Sequence, residues 1–370
     1  GSQVISNEVT DEPIEADKSY FLMIKDLDTP FGTVKGAATS IVGIVLIIGI
    51  IAGCILFRSL SNFLLTRMYV KDYKFHRSIV IDQVGTLYRM VPPVGVGGHL
   101  MEVFTFRKQK VSVSNALSII AMYSICYQIA LIAYNIVTII VKRDLISQIG
   151  SIPISFTSSS SVYIPLWILI TIGFIFNLGV IGIIFLLSFS KKFYNFISKY
   201  VLRFLSFIHI VKDIDKARSK LEDSVVSFRS NLKSLFSHWK TLVFTIIFMI
   251  GYITISYSIP YICGLSLSNS SSSASFFNSV LLSNLHQMVT CIIPLPGNAL
   301  LSEMFFLQLF YPSSGPQFYM SEDIARASLL LWRSLTFIIP LLLACIVTIC
   351  YHPSSKNNLI PKEESKNGIN

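Results

Sequence analysis

Long runs of apolar residues, separated by short polar segments, dominate the chain. A bilayer core about 30 Å thick is crossed by a helix of about 20 apolar residues, and five runs reach that length. In lipid the backbone must satisfy its own hydrogen bonds, so each run is predicted to be a helix. The predicted spanning helices are 37–57, 113–141, 162–189, 241–263 and 327–350.

Two further apolar stretches, 78–106 and 276–311, are interrupted by proline and glycine near their centres. Proline lacks an amide donor and clashes with the preceding helical turn, so neither stretch can form one straight helix. Each is predicted as two short helices joined by an irregular turn, which membranes tolerate only beside protein or a wet cavity. The residues assigned to these turns are Pro92, Pro93, Gly97, Gly98, Pro294, Pro296 and Gly297.

Lysine and arginine are concentrated in a few connecting regions. Residues 190–240 hold eleven of them and 58–77 hold five, whereas 264–275 hold none. Because positive residues favour the cytoplasmic side, we expect 58–112 and 190–240 in the cytoplasm. The segments expected outside are 1–36, 144–160, 264–275 and 311–323.

Five full helices alternate in direction only if both broken stretches return to the side they entered from. The predicted fold class is therefore all-α, a polytopic membrane helical bundle with two re-entrant broken-helix hairpins. Their opposite polarity suggests an inverted repeat. The transmembrane domain is predicted at 37–350 and a cytoplasmic tail at 351–370. A polar segment 1–36 outside, with no signal peptide, predicts a further helix upstream in the natural chain.

The cytoplasmic segment 190–240 is itself patterned. Apolar residues recur every three or four positions from Phe193 to Ile208, and Lys191, Lys199 and Arg203 border that face. This pattern is typical of a helix that lies in the membrane interface.

Composition narrows the functional classes. Hydrophobic residues make up 52% of the chain and charged residues only 14%, against about a quarter in soluble domains. The net charge is +10, and the basic residues that produce it flank apolar helices. Their position indicates contact with anionic membrane phospholipids rather than with nucleic acid. The sequence has no phosphate-binding loop, dinucleotide fingerprint, nucleophile elbow or HExxH motif. We therefore expect no cofactor, no metal and no catalytic residue. The chain is expected to be a multi-pass protein of the plasma (inner) membrane that can form homo-oligomers.

Ionisable residues within the apolar stretches are the candidate site residues, because each costs at least about 2.5 kcal/mol at the centre of a membrane helix. Glu303 and Arg333 are predicted to form an ion pair. The pair either locks the second hairpin to the last helix, or holds Arg333 in a cavity to bind a lipid phosphate. The candidates are Asp82, Arg89, His99, Glu102, His286, Glu303 and Arg333.

His99 and Glu102 lie three residues apart and share a helical face. A metal half-site, a proton relay, contact with a lipid headgroup and simple helix packing all remain open for them. For His286 we favour contacts within the bundle. Gln128, Asn135 and Asn177 are predicted to form hydrogen bonds between helices rather than to line a substrate path.

Three phrases resemble a known family. The segment 91–103, VPPVGVGGHLMEV, resembles the phrase TPFATGGQPMQVY of the flippase-like membrane family, which includes the transmembrane region of lysylphosphatidylglycerol synthases. The phrase Pro294-Leu295-Pro296-Gly297, followed by Glu303, resembles its PTPGGSGGAE, and Arg333 in LWRSLTFIIP matches the arginine of its last helix. The chain departs from the family at 99–100, where His-Leu replaces Gln-Pro, and at 298–301, where bulkier residues replace glycines.

The resemblance implies a function. Members move lipids between leaflets, and the best-known ones translocate aminoacylated phosphatidylglycerol such as lysylphosphatidylglycerol, which aids resistance to cationic antimicrobials. By this resemblance Arg333 and Glu303 are expected to bind the lipid phosphate and headgroup. Arg89, His99 and Glu102, which are ionisable residues of the first broken stretch, are expected to join them. The chain ends soon after its last predicted helix, so we expect the translocating module alone.

Two alternatives stay open. The chain is either part of a phosphatidylglycerol lysyltransferase whose catalytic domain lies elsewhere, or a membrane scaffold that transports nothing and binds a partner through 190–240.

Overall fold

The computed structural model describes the chain in seven stretches, which are residues 41–90, 96–157, 160–189, 238–267, 275–291, 301–310 and 322–351. These stretches are almost entirely helical, which confirms the all-α prediction. The helices are α1 (Ile41–Arg67), α2 (Phe75–Met90), α3 (Val96–Lys108), α4 (Val113–Val141), α5 (Arg143–Ile149), α6 (Leu166–Phe189), α7 (Trp239–Tyr257), α8 (Ile259–Leu267), α9 (Phe276–Thr290), α10 (Leu301–Phe310), α11 (Glu322–Arg333) and α12 (Ile339–Cys350).

Among the described residues, four helical segments are long and apolar enough to cross a membrane. They are Val45–Arg67, Val113–Val141, Trp239–Ser266 and Ala325–Cys350. The chain is thus a polytopic membrane protein. A shorter apolar segment, Leu166–Gly179, lies within the third predicted span, 162–189.

Helix α4 shows why these segments need lipid around them. It runs for 29 residues without a charge, a glycine or a proline, so nothing interrupts its backbone hydrogen bonds. Large apolar side chains point outward along it, and Ile140 is 70% exposed. A helix facing water would carry polar residues on that surface, so the exposed face is suited to acyl chains.

Helix α1 is longer than predicted. The sequence assigned residues 58–77 to a cytoplasmic loop, but α1 continues to Arg67. The extension buries Leu65 completely. Its polar residues bond back to the preceding turn, since the Ser61 hydroxyl donates to the carbonyl of Phe57 (2.9 Å) and that of Thr66 to the carbonyl of Asn62 (2.7 Å). The polar side chains therefore do not end the helix.

The predicted outer loop 144–160 is also structured. Helix α5 is followed by strand β1 (Ser151–Thr157), which pairs antiparallel with β2 (Ser160–Pro165). Gly150 joins helix to strand with φ 61°, a conformation that glycine adopts without steric cost. Residues 162–165 were predicted to begin the third spanning helix; they belong instead to β2, and the helix starts at Leu166.

The chain divides into two compact units. The first, named here the Glu303 unit, comprises the described parts of 1–50, 131–180 and 253–335. Within it α9 packs on α8 and α10, and α11 packs on α8 and α10. Its core is rich in phenylalanine and leucine, and its fully buried side chains include Phe306, Leu282 and Leu285.

The second, named the Glu102 unit, comprises the described parts of 51–130, 181–252 and 336–370. Within it α2 packs on both α3 and α12. Its fully buried side chains include Phe106, Ile81, Ile119 and Met122.

Each broken stretch forms two short helices that pack on each other, α2 with α3 and α9 with α10. The longest, α2, has 16 residues and is therefore only about 24 Å long, short of the bilayer core. Re-entry into the membrane and the inverted repeat stay predictions.

Several predicted features fall on residues outside the described ones. Residues 91–95 and 292–300 are outside the described ones, and they include five residues of the predicted turns: Pro92, Pro93, Pro294, Pro296 and Gly297. The same holds for most of the predicted amphipathic segment, 190–237. The prediction that Gly97 and Gly98 form part of the irregular turn is wrong. Both lie in the first helical turn of α3.

Candidate functional site

An ion pair joins α10 to α11 in the Glu303 unit. Glu303 lies in the first turn of α10, Arg333 is the last residue of α11, and the guanidinium Nε contacts the carboxylate Oε1. The two side chains are only 9% and 16% exposed. The carboxylate's other oxygen, Oε2, is buried and has no hydrogen-bond partner among the described residues. A charged oxygen without a partner is costly in a low-dielectric setting, so this position is suited to an incoming donor.

Aromatic rings form the surroundings of the pair. The guanidinium carbon of Arg333 lies 4.9 Å from the centroid of the Trp332 ring. Trp332 stacks on Phe306, with 4.9 Å between centroids, and Phe306 stacks in turn on Phe310 at 4.7 Å. Cation–π contact and burial together hold the guanidinium in one place.

His286 connects α9 to the start of α10. Its Nε2 lies 2.9 Å from the carbonyl oxygen of Ser302 and 3.1 Å from the Ser302 hydroxyl. Trp332 and Phe306 pack against the imidazole edge to face, with centroid distances of 5.3 and 6.4 Å. Because Ser302 precedes Glu303, these contacts fix the turn that carries the carboxylate, in line with the predicted role of His286 in bundle contacts.

A π-helical turn, Ser334–Ile338, follows directly after Arg333. Pro340 comes two residues later and has no amide hydrogen to donate to the preceding turn. Such widened turns occur often at functional sites, and this one begins at the residue after the charged group.

Other polar contacts in the Glu303 unit link α4, and Lys142 directly after it, to α9. The Lys142 ammonium donates to the Asn278 amide oxygen (2.7 Å), and the Asn284 amide donates to the Thr138 hydroxyl (2.8 Å). Partial burial lowers the pKa of Lys142. Asn135 lies nearby on α4, fully buried, yet neither amide atom has a hydrogen-bond partner among the described residues. The predicted interhelical bond of Asn135 is therefore wrong for the part of the chain described.

A second charged cluster, here called the Glu102 cluster, consists of Arg89, His99, Glu102 and Thr86. Arg89 on α2 pairs with Glu102 on α3 through Nη1 and Oε1, and its Nη2 lies 3.2 Å from the Thr86 hydroxyl. His99 Nδ1 lies 3.0 Å from the other carboxylate oxygen, Oε2. Glu102 is buried, whereas the side chains of Arg89 and His99 are 27% and 49% exposed.

Two glycines make room for this cluster. A Cβ atom on Gly85 would overlap the Glu102 carboxylate, and one on Gly98 would overlap the Arg89 side chain and stand 2.9 Å from the Gly85 carbonyl oxygen. Helices α2 and α3 therefore touch through backbone at these positions. The glycines permit the close approach that brings Arg89 to Glu102.

A further ion pair lies in the same unit and was not predicted. Arg58 Nη2 on α1 is 2.8 Å from Asp82 Oδ1 on α2. The Asp82 side chain is 1% exposed, and Gln83 Nε2 lies 3.2 Å from its other oxygen. The guanidinium carbon of Arg58 also lies 5.4 Å from the centroid of the Tyr252 ring.

The structure thus brings the predicted site residues together in two separate groups. Glu303 meets Arg333, and Arg89 meets Glu102 and His99. Asp82, a candidate without an assigned partner, is neutralised by Arg58, which was assigned to a loop. The apolar residues that follow Arg58 were the available signal that its helix continues.

The described residues contain no group of three or more His, Cys, Asp or Glu that could hold a metal ion.

A family model described as "Lysylphosphatidylglycerol synthase TM region" matches residues 31–344. No curated protein is significantly similar to the chain.

Proposed function

The chain belongs to the family of the lysylphosphatidylglycerol synthase transmembrane region, and on that premise we propose that it moves phospholipid between membrane leaflets. Its lipids are anionic phospholipids or their aminoacylated forms, such as lysylphosphatidylglycerol. Its place is the plasma membrane, with 190–240 and the C-terminus in the cytoplasm. Masking of anionic lipid at the outer surface would then help against cationic antimicrobials.

One observation carries the proposal: Oε2 of Glu303, beside the Arg333 guanidinium, has no hydrogen-bond partner within the described stretches of the chain. A planar guanidinium is suited to a phosphate diester, and a carboxylate oxygen is suited to an ammonium or hydroxyl donor. An aminoacylated or glycerol headgroup offers both groups a few bonds apart. The pair is therefore complementary to a headgroup with a phosphate on one side and a donor on the other.

The surroundings agree with a lipid substrate. The site contacts an aromatic stack and lies in a unit whose outer helical faces are apolar, as Ile140 on α4 illustrates. A headgroup can be held there while the acyl chains stay in the bilayer. Arg89 in the Glu102 unit supplies a second guanidinium that is partly exposed.

The proposal is tested by transport into sealed proteoliposomes. Fluorescent phosphatidylglycerol in the outer leaflet is quenched by dithionite, and the protected fraction is followed with time. Arg333→Gln should slow translocation about tenfold, because a charged hydrogen bond to the headgroup is worth about 1.5–3 kcal/mol. Glu303→Gln should slow an aminoacylated lipid more than phosphatidylglycerol.

Arg107→Gln is the matched control, since Arg107 is an exposed residue at the end of α3. It should transport at the wild-type rate. A wild-type protein that moves lipid no faster than protein-free liposomes contradicts the proposal.

Membership of a family named for the transmembrane region of a synthase favours a second candidate, in which the chain is the membrane part of a phosphatidylglycerol lysyltransferase. Formation of lysylphosphatidylglycerol from lysyl-tRNA and phosphatidylglycerol, detected by thin-layer chromatography, is measured with the purified chain. We expect none from this chain alone, and formation of the product would replace the transport proposal.

A further inference from the structure

Glu102 is shared between two cationic partners of different kinds. Its Oε1 pairs with Arg89, and its Oε2 lies 3.0 Å from His99 Nδ1. Arginine keeps its charge at any working pH, whereas histidine changes charge between about pH 5 and 8. The carboxylate therefore has one permanent partner and one conditional partner.

The rest of the cluster's surroundings is electrically balanced. On α2, Asp82 is neutralised by Arg58 of α1, which also meets the uncharged phenols of Tyr123 on α4 and Tyr252 on α7. Helix α12, which packs on α2, carries only Cys345 and Cys350 as titratable residues.

On α3 itself, Arg107 and Lys108 are exposed at the opposite end from His99. The charged residues at the start of α2 lie at that same far end, because Gln109 Nε2 donates to the Arg77 carbonyl at 3.1 Å. The four central charges, those of Arg58, Asp82, Arg89 and Glu102, thus sum to zero. A proton added to His99 would change the charge of this group from zero to +1.

We propose that protonation of His99 converts the Glu102 cluster into a binding site for a lipid phosphate diester. The neutral imidazole takes a proton from the aqueous phase, and the resulting imidazolium holds Glu102 through Oε2. The Arg89 guanidinium, whose side chain is 27% exposed, then turns from Oε1 to the phosphate. The site is in this way regulated by pH. The inference rests on the proposed function only for its ligand class.

Charge and exposure support the exchange. A phosphate diester carries one negative charge, so it balances the added proton and is unfavourable beside a carboxylate without it. Charge interactions are stronger in a partly buried site than in water. His99 is 49% exposed and can reach water as the proton source, while Glu102 stays buried against Arg89 and His99.

The experiment measures binding rather than transport. Dioctanoyl-phosphatidylglycerol is titrated by calorimetry into the full chain in maltoside micelles at about pH 5.5 and pH 8.0. Affinity should be about fivefold or more higher at the acidic pH, the lower end of usual coupling between linked sites. His99→Gln should remove this pH step and keep the affinity found at pH 8.0.

His76→Gln is the matched control, because His76 is an exposed histidine at the start of α2, and it should keep the step. Glu102→Gln gives an independent readout. Arg89 is then released at both pH values, so affinity at pH 8.0 should rise and the step should shrink. A step that survives His99→Gln, or a wild type without any step, overturns the inference.

Two further measurements distinguish a lipid headgroup from free phosphate, and this inference from the proposed function. Inorganic phosphate should bind more weakly than the lipid at both pH values, and equal binding would overturn the assignment to a lipid headgroup. Arg333→Gln should keep the pH step whatever its effect on transport. A chain that shows the step but moves no lipid therefore refutes the proposed function and leaves the binding site in place.

Discussion

Arg58 and Asp82 form an ion pair of 2.8 Å between α1 and α2, with the carboxylate almost completely buried. Each residue would be isolated in an apolar helix without the other. Removal of one partner leaves an uncompensated buried charge, whereas removal of both leaves none. The pair is therefore expected to affect stability mainly because each charge neutralises the other, and less through the attraction between the two side chains.

Asp82→Leu should lower the free energy of unfolding by about 3 kcal/mol or more, because Arg58 is left without its counter-charge. Arg58→Met combined with Asp82→Leu should recover most of the loss. Thermal unfolding in detergent, followed by intrinsic fluorescence, measures both. A double variant no more stable than Asp82→Leu alone would refute this account.

Gly98→Ala should destabilise the Glu102 unit by about 1–3 kcal/mol, the usual cost of overpacking. The added methyl group collides with the Arg89 side chain and the Gly85 carbonyl, so α2 and α3 must separate. Gly49→Ala on α1 is the control, since a Cβ there meets no atom within 4 Å. Equal melting temperatures for the two variants would argue against the close backbone contact.

Phe306→Ala should cost about 3–5 kcal/mol, the usual range for a large aromatic side chain deleted from a core. Phe306 is fully buried and stacks on both Trp332 and Phe310. Phe104→Ala provides the comparison, because Phe104 is 47% exposed. Unfolding curves of the two variants should differ clearly, and similar curves would mean that the stack contributes little.

Re-entry of the first broken stretch predicts that both of its ends lie on one side of the membrane. Single cysteines at Lys71 and Ser112, both exposed, are placed in a chain lacking its six native cysteines. A membrane-impermeant maleimide should label both from the same side of sealed vesicles. A cysteine at Ser151 should react only from the other side. Labelling of Lys71 and Ser112 positions from opposite sides would show a complete crossing.

The helices were predictable because lipid leaves few choices. A run of about 20 apolar residues must satisfy its own backbone hydrogen bonds, and the predicted 113–141 coincides with α4. Pairing of charges is different. Arg58 was interpreted as the start of a loop because an isolated charge is unfavourable in a membrane helix. Its neutralising partner, Asp82, lies 24 residues further along the chain. Nothing in the local pattern reveals a contact at that distance.

Glycines show the same limit. Gly97 and Gly98 were predicted to form an irregular turn, yet they lie in α3. A missing side chain permits either a tight turn or a close helix contact, and the sequence looks the same for both. The role of Gly85 emerged only when the Glu102 carboxylate was seen against it. Glu303 and Arg333 were easier to pair, since few other charges lie in the apolar stretches around them.

The backbone contact at Gly85 and Gly98 has an evolutionary consequence. Because a Cβ at either position would overlap the Glu102 or Arg89 side chain, neither glycine can be replaced without separating the two helices. The atoms nearest to those two Cβ positions belong to Glu102, Arg89 and Gly85, so substitutions at His99 or Thr86 are expected to leave the helix crossing in place. Two hydrogen atoms in place of side chains thus leave this region free to diversify without losing its architecture.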